Sequence, residues 1–319
     1  MWEVEALYYA HAGLSGAALV TLVVIWIASL RAMHRCADPA RVAFTILKVA
    51  LPAFIITLTL NIAEDIENVT MPYYGGWVGP SDKDPAAAAN RLLKFNISTC
   101  ASLFEFIASS LLVVMLVELG NGLMLATIRQ RSKSQNIMRY LGIFFATVLF
   151  ALGLADFGVR QATWPRVWNA PDFDDNEATN DYYDSVLIIL MRLQKLDLAW
   201  LIINWVTSAG ILGYASFVMH RYRSVKPSRT CTIMFLVAAI LGFIKGSWAA
   251  IQFLIFSYWP WYYFSFRVTQ LTSIFLISWM LSGVMVLVFA IGVKKQGGLW
   301  TVSRPWMNES TKSADVEDK

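Results

Sequence analysis

Long apolar stretches alternate with short polar segments along the whole chain, and each stretch is close to or above the roughly 20 residues that cross a bilayer. The pattern predicts helices over about residues 10–30, 42–63, 96–127, 140–158, 198–220, 230–256 and 267–293. The expected fold class is therefore all-α: a polytopic membrane protein built as a seven-helix bundle over residues 1–295, with a polar, mostly disordered tail over 296–319. The fifth helix is the hardest to delimit. Arg192, Lys195 and Asp197 interrupt the apolar run that begins at Ser185, so residues 185–197 are read as an amphipathic extension before the span proper.

Charge sets the orientation. Inner loops and the tail to Arg304 carry 14 Lys and Arg, whereas the outer segments, residues 185–197 left aside, carry 6. By the positive-inside rule the N-terminus lies outside and the C-terminus in the cytoplasm. Glu3 and Glu5 precede the first apolar run and Arg31 follows it, which reads as a signal-anchor and not as a cleavable leader. Charged residues make up only 15% of the chain, against about 25% in soluble domains. The surplus of basic residues sits in loops, so it points to lipid and to a cytosolic partner at the inner loops, and away from nucleic acid.

The third stretch organises the rest. It reads NISTCASLFEFIASSLLVVMLVELGNGLMLAT and carries Glu105 and Glu118 at two depths. A carboxylate in hydrocarbon must face the protein interior, so this helix is expected to be central, with other helices around it. Lys245 stands at a comparable depth in the sixth stretch, inside Gly242-Phe-Ile-Lys-Gly246, where the two glycines are expected to admit a neighbouring backbone. Glu105 and Lys245 can neutralise each other, either as a structural ion pair or as the polar lining of a ligand site. With Gln252 and Gln270 they form the candidate ligand-binding set on the outer half. Glu118 is expected to bond a polar group near the inner helix ends. Asn61, Asn204, Gln252 and Gln270 are single polar side chains for which interhelical hydrogen bonding is the default reading.

Other features narrow the chemistry. Asn68-Val-Thr, Asn96-Ile-Ser and Asn308-Glu-Ser are glycosylation sequons. Asn68 and Asn96 fall on the outer side, which suits the plasma membrane or an endomembrane of a eukaryotic cell. The chain has only His11, His34 and His220, on both sides of the membrane, so no histidine-based zinc site and no other cofactor is expected. The acidic segment 169–184 lacks the glycine and the spacing of an EF-hand loop. Cys36 and Cys231 fall at the inner face and Cys100 at the outer, none has an obvious partner, and no internal disulfide is expected.

The topology resembles that of G-protein-coupled receptors, but residue-level marks differ. The third helix ends Leu125-Ala-Thr-Ile-Arg129, without the acidic-Arg-aromatic triplet, and the last helix has no Asn-Pro-x-x-Tyr. That last helix also has no lysine to carry retinal, as microbial rhodopsins require. The first functional reading is a receptor-like, non-enzymatic protein that takes a small lipophilic ligand. An alternative is a membrane-embedded enzyme of the isoprenoid cyclase or transferase type, with Glu105 or Glu118 as general acid; a second alternative is a small transporter.

Overall fold

In a computed structural model the described residues are 2–32, 41–70, 85–126, 133–168, 177–222, 229–258 and 266–294, and every element among them is helical. The elements are α1 (Trp2–Ala32), α2 (Val42–Thr70), α3 (Pro85–Leu125), α4 (Lys133–Trp168), α5 (Glu177–Tyr222), α6 (Arg229–Tyr258), α7 (Phe266–Ser273) and α8 (Met280–Val293). A π-helical segment, Ile274–Trp279, joins α7 to α8 in one rod.

Among the described residues six helices are long and apolar enough to cross a membrane: α1, α2, α3, α4, α6 and the α7–α8 rod. The fifth of the expected spans, in α5, is not one of them, and the count of seven is to that extent unconfirmed. The burial pattern has the inversion of a membrane protein. Val20, Val24, Tyr140, Phe144, Ile202 and Val206 are exposed, while Ser29, Ser109, Glu118, Asn121 and Asp156 are buried. In water that arrangement leaves apolar surface exposed and polar groups shut in. In lipid it puts each group where it belongs. The bundle fits a multi-pass membrane protein.

Several helices run beyond their apolar windows. α3 begins at Pro85, eleven residues before the apolar run expected from residue 96, because Pro-Ala-Ala-Ala-Ala starts and sustains a helix that hydropathy does not register. At 41 residues it is about 60 Å long, twice the hydrocarbon thickness. α4 extends to Trp168, and α5 runs unbroken for 46 residues. The segment 185–197 is thus a rigid continuation of the fifth helix. Half of the acidic stretch is helical as well, since α5 starts at Glu177; residues 169–176, Cys36 and the tail lie outside the described residues.

α3 packs against α2, α4, α5 and α6, and a larger share of its apolar stretch is buried than in any of the other five spans. Its seam with α4 is built from a seven-residue repeat. Gln135, Gly142, Leu149, Asp156 and Thr163 are all buried, and Ala146 and Gly153 fill the intervening turns. A repeat of 3.5 residues keeps one stripe facing a partner helix. Small residues on the stripe let the backbones approach. A Cβ on Gly142 would stand 3.0 Å from Val117, and one on Gly153 2.5 Å from Phe106.

Ion pairs tie the ends. At one end Arg160 Nε donates to Asp156 Oδ2 at 2.7 Å, and Arg160 Nη2 reaches both oxygens of Asp197 at 2.8 and 2.9 Å, joining α4 to α5. His11 Nδ1 and Asp65 Oδ2 meet at 2.5 Å between α1 and α2. At the other end Arg139 Nε lies 3.0 Å from Glu118 Oε1, a charge contact off the hydrogen-bond axis. Arg160 is the most exacting of these. Replacing it with Met strands the Asp156 side chain, 3% exposed, beside a second carboxylate. The expected loss is about 3 kcal/mol, read as a lower melting temperature of the detergent-solubilised protein. Arg160→Lys should be intermediate, because an ammonium cannot reproduce the planar fork. An unchanged melting temperature for Arg160→Met would remove the triad from the account.

Candidate functional site

The site forms where α3, α5 and α6 meet. On α3, Glu105, Ser109, Leu112, Val113 and Leu116 recur at three- and four-residue steps, so they share one face. On α5, Asn204, Ser208 and Ile211 do the same, and on α6 so do Ala239, Gly242, Lys245 and Gly246. All but Glu105 line one small cavity. It offers about 20 Å³ to the centre of a water molecule, room for one or two waters.

Lys245 Nζ lies 3.4 Å from Glu105 Oε1. Ordinary charge-assisted N–H···O contacts are about 2.7–2.9 Å, so the pair is loose. Burial is unequal: the Lys245 side chain is 9% exposed and that of Glu105 is 38% exposed. The lysine belongs to the closed core and the glutamate to its edge. Nζ also stands 5.8 Å from the centroid of the Phe54 ring on α2, within reach of a cation–π attraction. An ammonium has three donors, and a single loose carboxylate contact does not satisfy them.

The two serines of the cavity have hydrogen-bonding capacity to spare. Ser109 is buried at 3% exposure and its hydroxyl has no hydrogen-bond partner. Ser208 spends its proton on the Asn204 carbonyl at 2.8 Å, which leaves its oxygen free to accept. The two glycines around Lys245 play different parts. A Cβ on Gly246 would meet Ser208 Oγ at 3.4 Å, so this glycine does admit α5. A Cβ on Gly242 would meet nothing within 4 Å. Gly242 is part of the cavity wall and not a packing contact, contrary to the expectation for the pair.

Of the four residues proposed from sequence, the structure gathers Glu105 and Lys245. Gln252 is two turns further along α6, about 10 Å away. Its Nε2 donates to Ser273 Oγ at 2.5 Å, beside a 3.3 Å contact from Trp248 Nε1, so it fastens α6 to the α7–α8 rod. Gln270 lies in α7, and its side chain is outside the described residues. Ser109 and Ser208 were missed. Their signal was four-residue spacing to Glu105 and Asn204, which puts a polar stripe on each of two helices. Glu118 meets Arg139 as a link between α3 and α4; nearby, Tyr214 donates to Asn121 at 2.7 Å. Among the described residues no three His, Cys, Asp or Glu side chains converge as metal ligands would. Asn96 accepts from Gln161 Nε2 at 3.4 Å, between α3 and α4, and Asn68 falls in the last turn of α2.

No family model, no curated protein and no solved structure matches this chain.

Proposed function

We propose that this chain is a non-enzymatic, receptor-like membrane protein of seven spans that takes a small lipophilic ligand at a polar site in the outer half of its bundle. The observation that carries this reading is the Glu105–Lys245 pair: loose at 3.4 Å, unequally buried, and set beside a cavity in which the buried Ser109 hydroxyl has no hydrogen-bond partner. A purely structural ion pair gains from tight geometry and full hydrogen bonding. This one has neither. Glu118, the other acid considered as a proton donor, is in ion-pair contact with Arg139, which favours a structural use for it and leaves the enzymatic reading with one half-exposed carboxylate.

α5 is taken as the remaining span, from about residue 198, with its charged extension held against α4 by Arg160. The membrane lipid and a cytosolic partner at the basic inner loops complete the reading. Three measurements test it. An antibody tag after Lys319 should be reached only in permeabilised cells, and any N-glycan should be lost in Asn68→Gln. Labelling of intact cells that display the protein would reverse the orientation. Gentle purification followed by organic extraction and mass spectrometry should return a lipophilic small molecule at near one per chain. Repeated extraction of bulk bilayer lipid alone would contradict a ligand site.

A further inference from the structure

We propose that the cavity between α3, α5 and α6 holds the carboxylate head of a single-chain amphiphile whose apolar chain stays in the lipid beside Trp205 and Phe243. This inference rests on the ligand-site reading and names the class of ligand. Three observations carry it. The first is donor surplus. Lys245 has N–H groups that its loose contact with Glu105 leaves over, and the Ser109 hydroxyl is buried without a partner. Both line the same space, with the Asn204 side chain. Buried donors require acceptors. A carboxylate supplies two oxygens and no donor, one for Lys245 and one for Ser109.

The second observation is charge. Lys245 is nearly closed off, and Glu105 is more than a third exposed. When a ligand carboxylate arrives, Glu105 has room to turn aside, whereas Lys245 cannot leave. The lysine keeps one anion throughout, and the ligand's can approach closer than 3.4 Å. The third is shape. Room for one or two waters is room for the two oxygens of a carboxylate and not for its chain. The cavity wall at Phe243 packs against Trp205, ring centroids 6.0 Å apart, and Trp205 is exposed on the outer surface of the bundle. Below the head, Leu112, Leu116 and Ile211 close the cavity with apolar surface. The proposed way out to lipid runs between α5 and α6 past the Trp205–Phe243 contact, where Trp205 Nε1 also donates to Ser247 Oγ at 3.1 Å, so the Trp205 ring must turn aside to let the chain through.

The test uses full-length protein in lipid nanodiscs and a photoreactive octadecanoic acid. Labelling should map to α5 and α6 near Trp205 and Phe243. Unlabelled octadecanoate should compete at least tenfold better than octadecanol. Gly242→Leu fills the cavity from a position where a Cβ meets nothing within 4 Å, and it should lower labelling at least tenfold. Ser109→Val is the second variant, should the first fail to fold, with the same expected loss. Equal competition by acid and alcohol would overturn the carboxylate head. Undiminished labelling of a folded Gly242→Leu or Ser109→Val would overturn the cavity. If wild-type protein carries another extracted molecule that Glu105→Gln lacks, yet ignores octadecanoate, the carboxylate inference fails and the ligand-site reading stands. If none of these variants changes anything bound, both fail.

Discussion

Glu105→Gln should destabilise the protein more than Lys245→Met, although the two remove the same ion pair. The difference follows from burial. Losing Glu105 leaves an ammonium 9% exposed with the Phe54 ring as its remaining electrostatic neighbour in the site. Orphaning a buried charge costs about 3–5 kcal/mol. Losing Lys245 leaves a carboxylate that is 38% exposed and has room to turn out of the helix contact, so the loss should be smaller, about 1 kcal/mol. Methionine also fills most of the volume of the lysine stem. The double variant should recover most of the Glu105→Gln loss, because no charge is left without a partner. The measurement is a double-mutant cycle on the melting of detergent-solubilised protein, with a coupling above about 1 kcal/mol as the mark of direct contact. Additive losses, or a larger loss for Lys245→Met, would contradict the geometry.

Gly153→Ala should be as damaging as a deep core substitution, despite adding one methyl to a helix. The new Cβ would stand 2.5, 2.6 and 2.8 Å from Phe106 Cβ, Cγ and Cδ2. The nearest of these is bonded directly to the backbone of α3, so rotating the ring does not clear it. The ring is itself held against Trp200, centroids 4.9 Å apart. α3 and α4 must separate along their seam, and overpacking of this kind costs about 1–3 kcal/mol or more. Because α3 carries Glu105 one residue before Phe106, the shift should also disturb the Lys245 contact. Gly158→Ala is the control: it lies in the same helix, and its Cβ would meet nothing within 4 Å. It should be neutral or slightly stabilising, by up to about 1 kcal/mol of helix propensity. Equal melting temperatures for Gly153→Ala and Gly158→Ala would refute the seam.

The sequence made the apolar spans legible because hydropathy reports transfer into lipid, and that fixes where a helix crosses but not where it ends. It hid the extensions, because Pro85–Ala89 and the stretch from Glu177 are helical without belonging to a long apolar run. Glu105 and Lys245 were legible as a pair for a related reason. Two opposite charges at matching depth have few other ways to be stable in an apolar bundle. Gln252 makes the interhelical hydrogen bond that is the default for such a side chain, and it stands apart from the pair because depth does not fix azimuth: it points to Ser273, across a different helix interface. The α4 stripe of Gly142, Ala146, Leu149 and Gly153 was present in the sequence and went unread, since small residues carry little hydropathy signal. Arg160 was passed over as a loop base, and it bridges two carboxylates on different helices.

The most direct measurement compares extracts of wild-type protein with those of the Glu105→Gln/Lys245→Met double variant, purified side by side. The double variant should be folded, with a melting temperature within a few degrees of wild type, and empty of the small molecule that wild type retains. A double variant that is equally stable and equally loaded would contradict a ligand site at this pair and reduce it to a bond between α3 and α6.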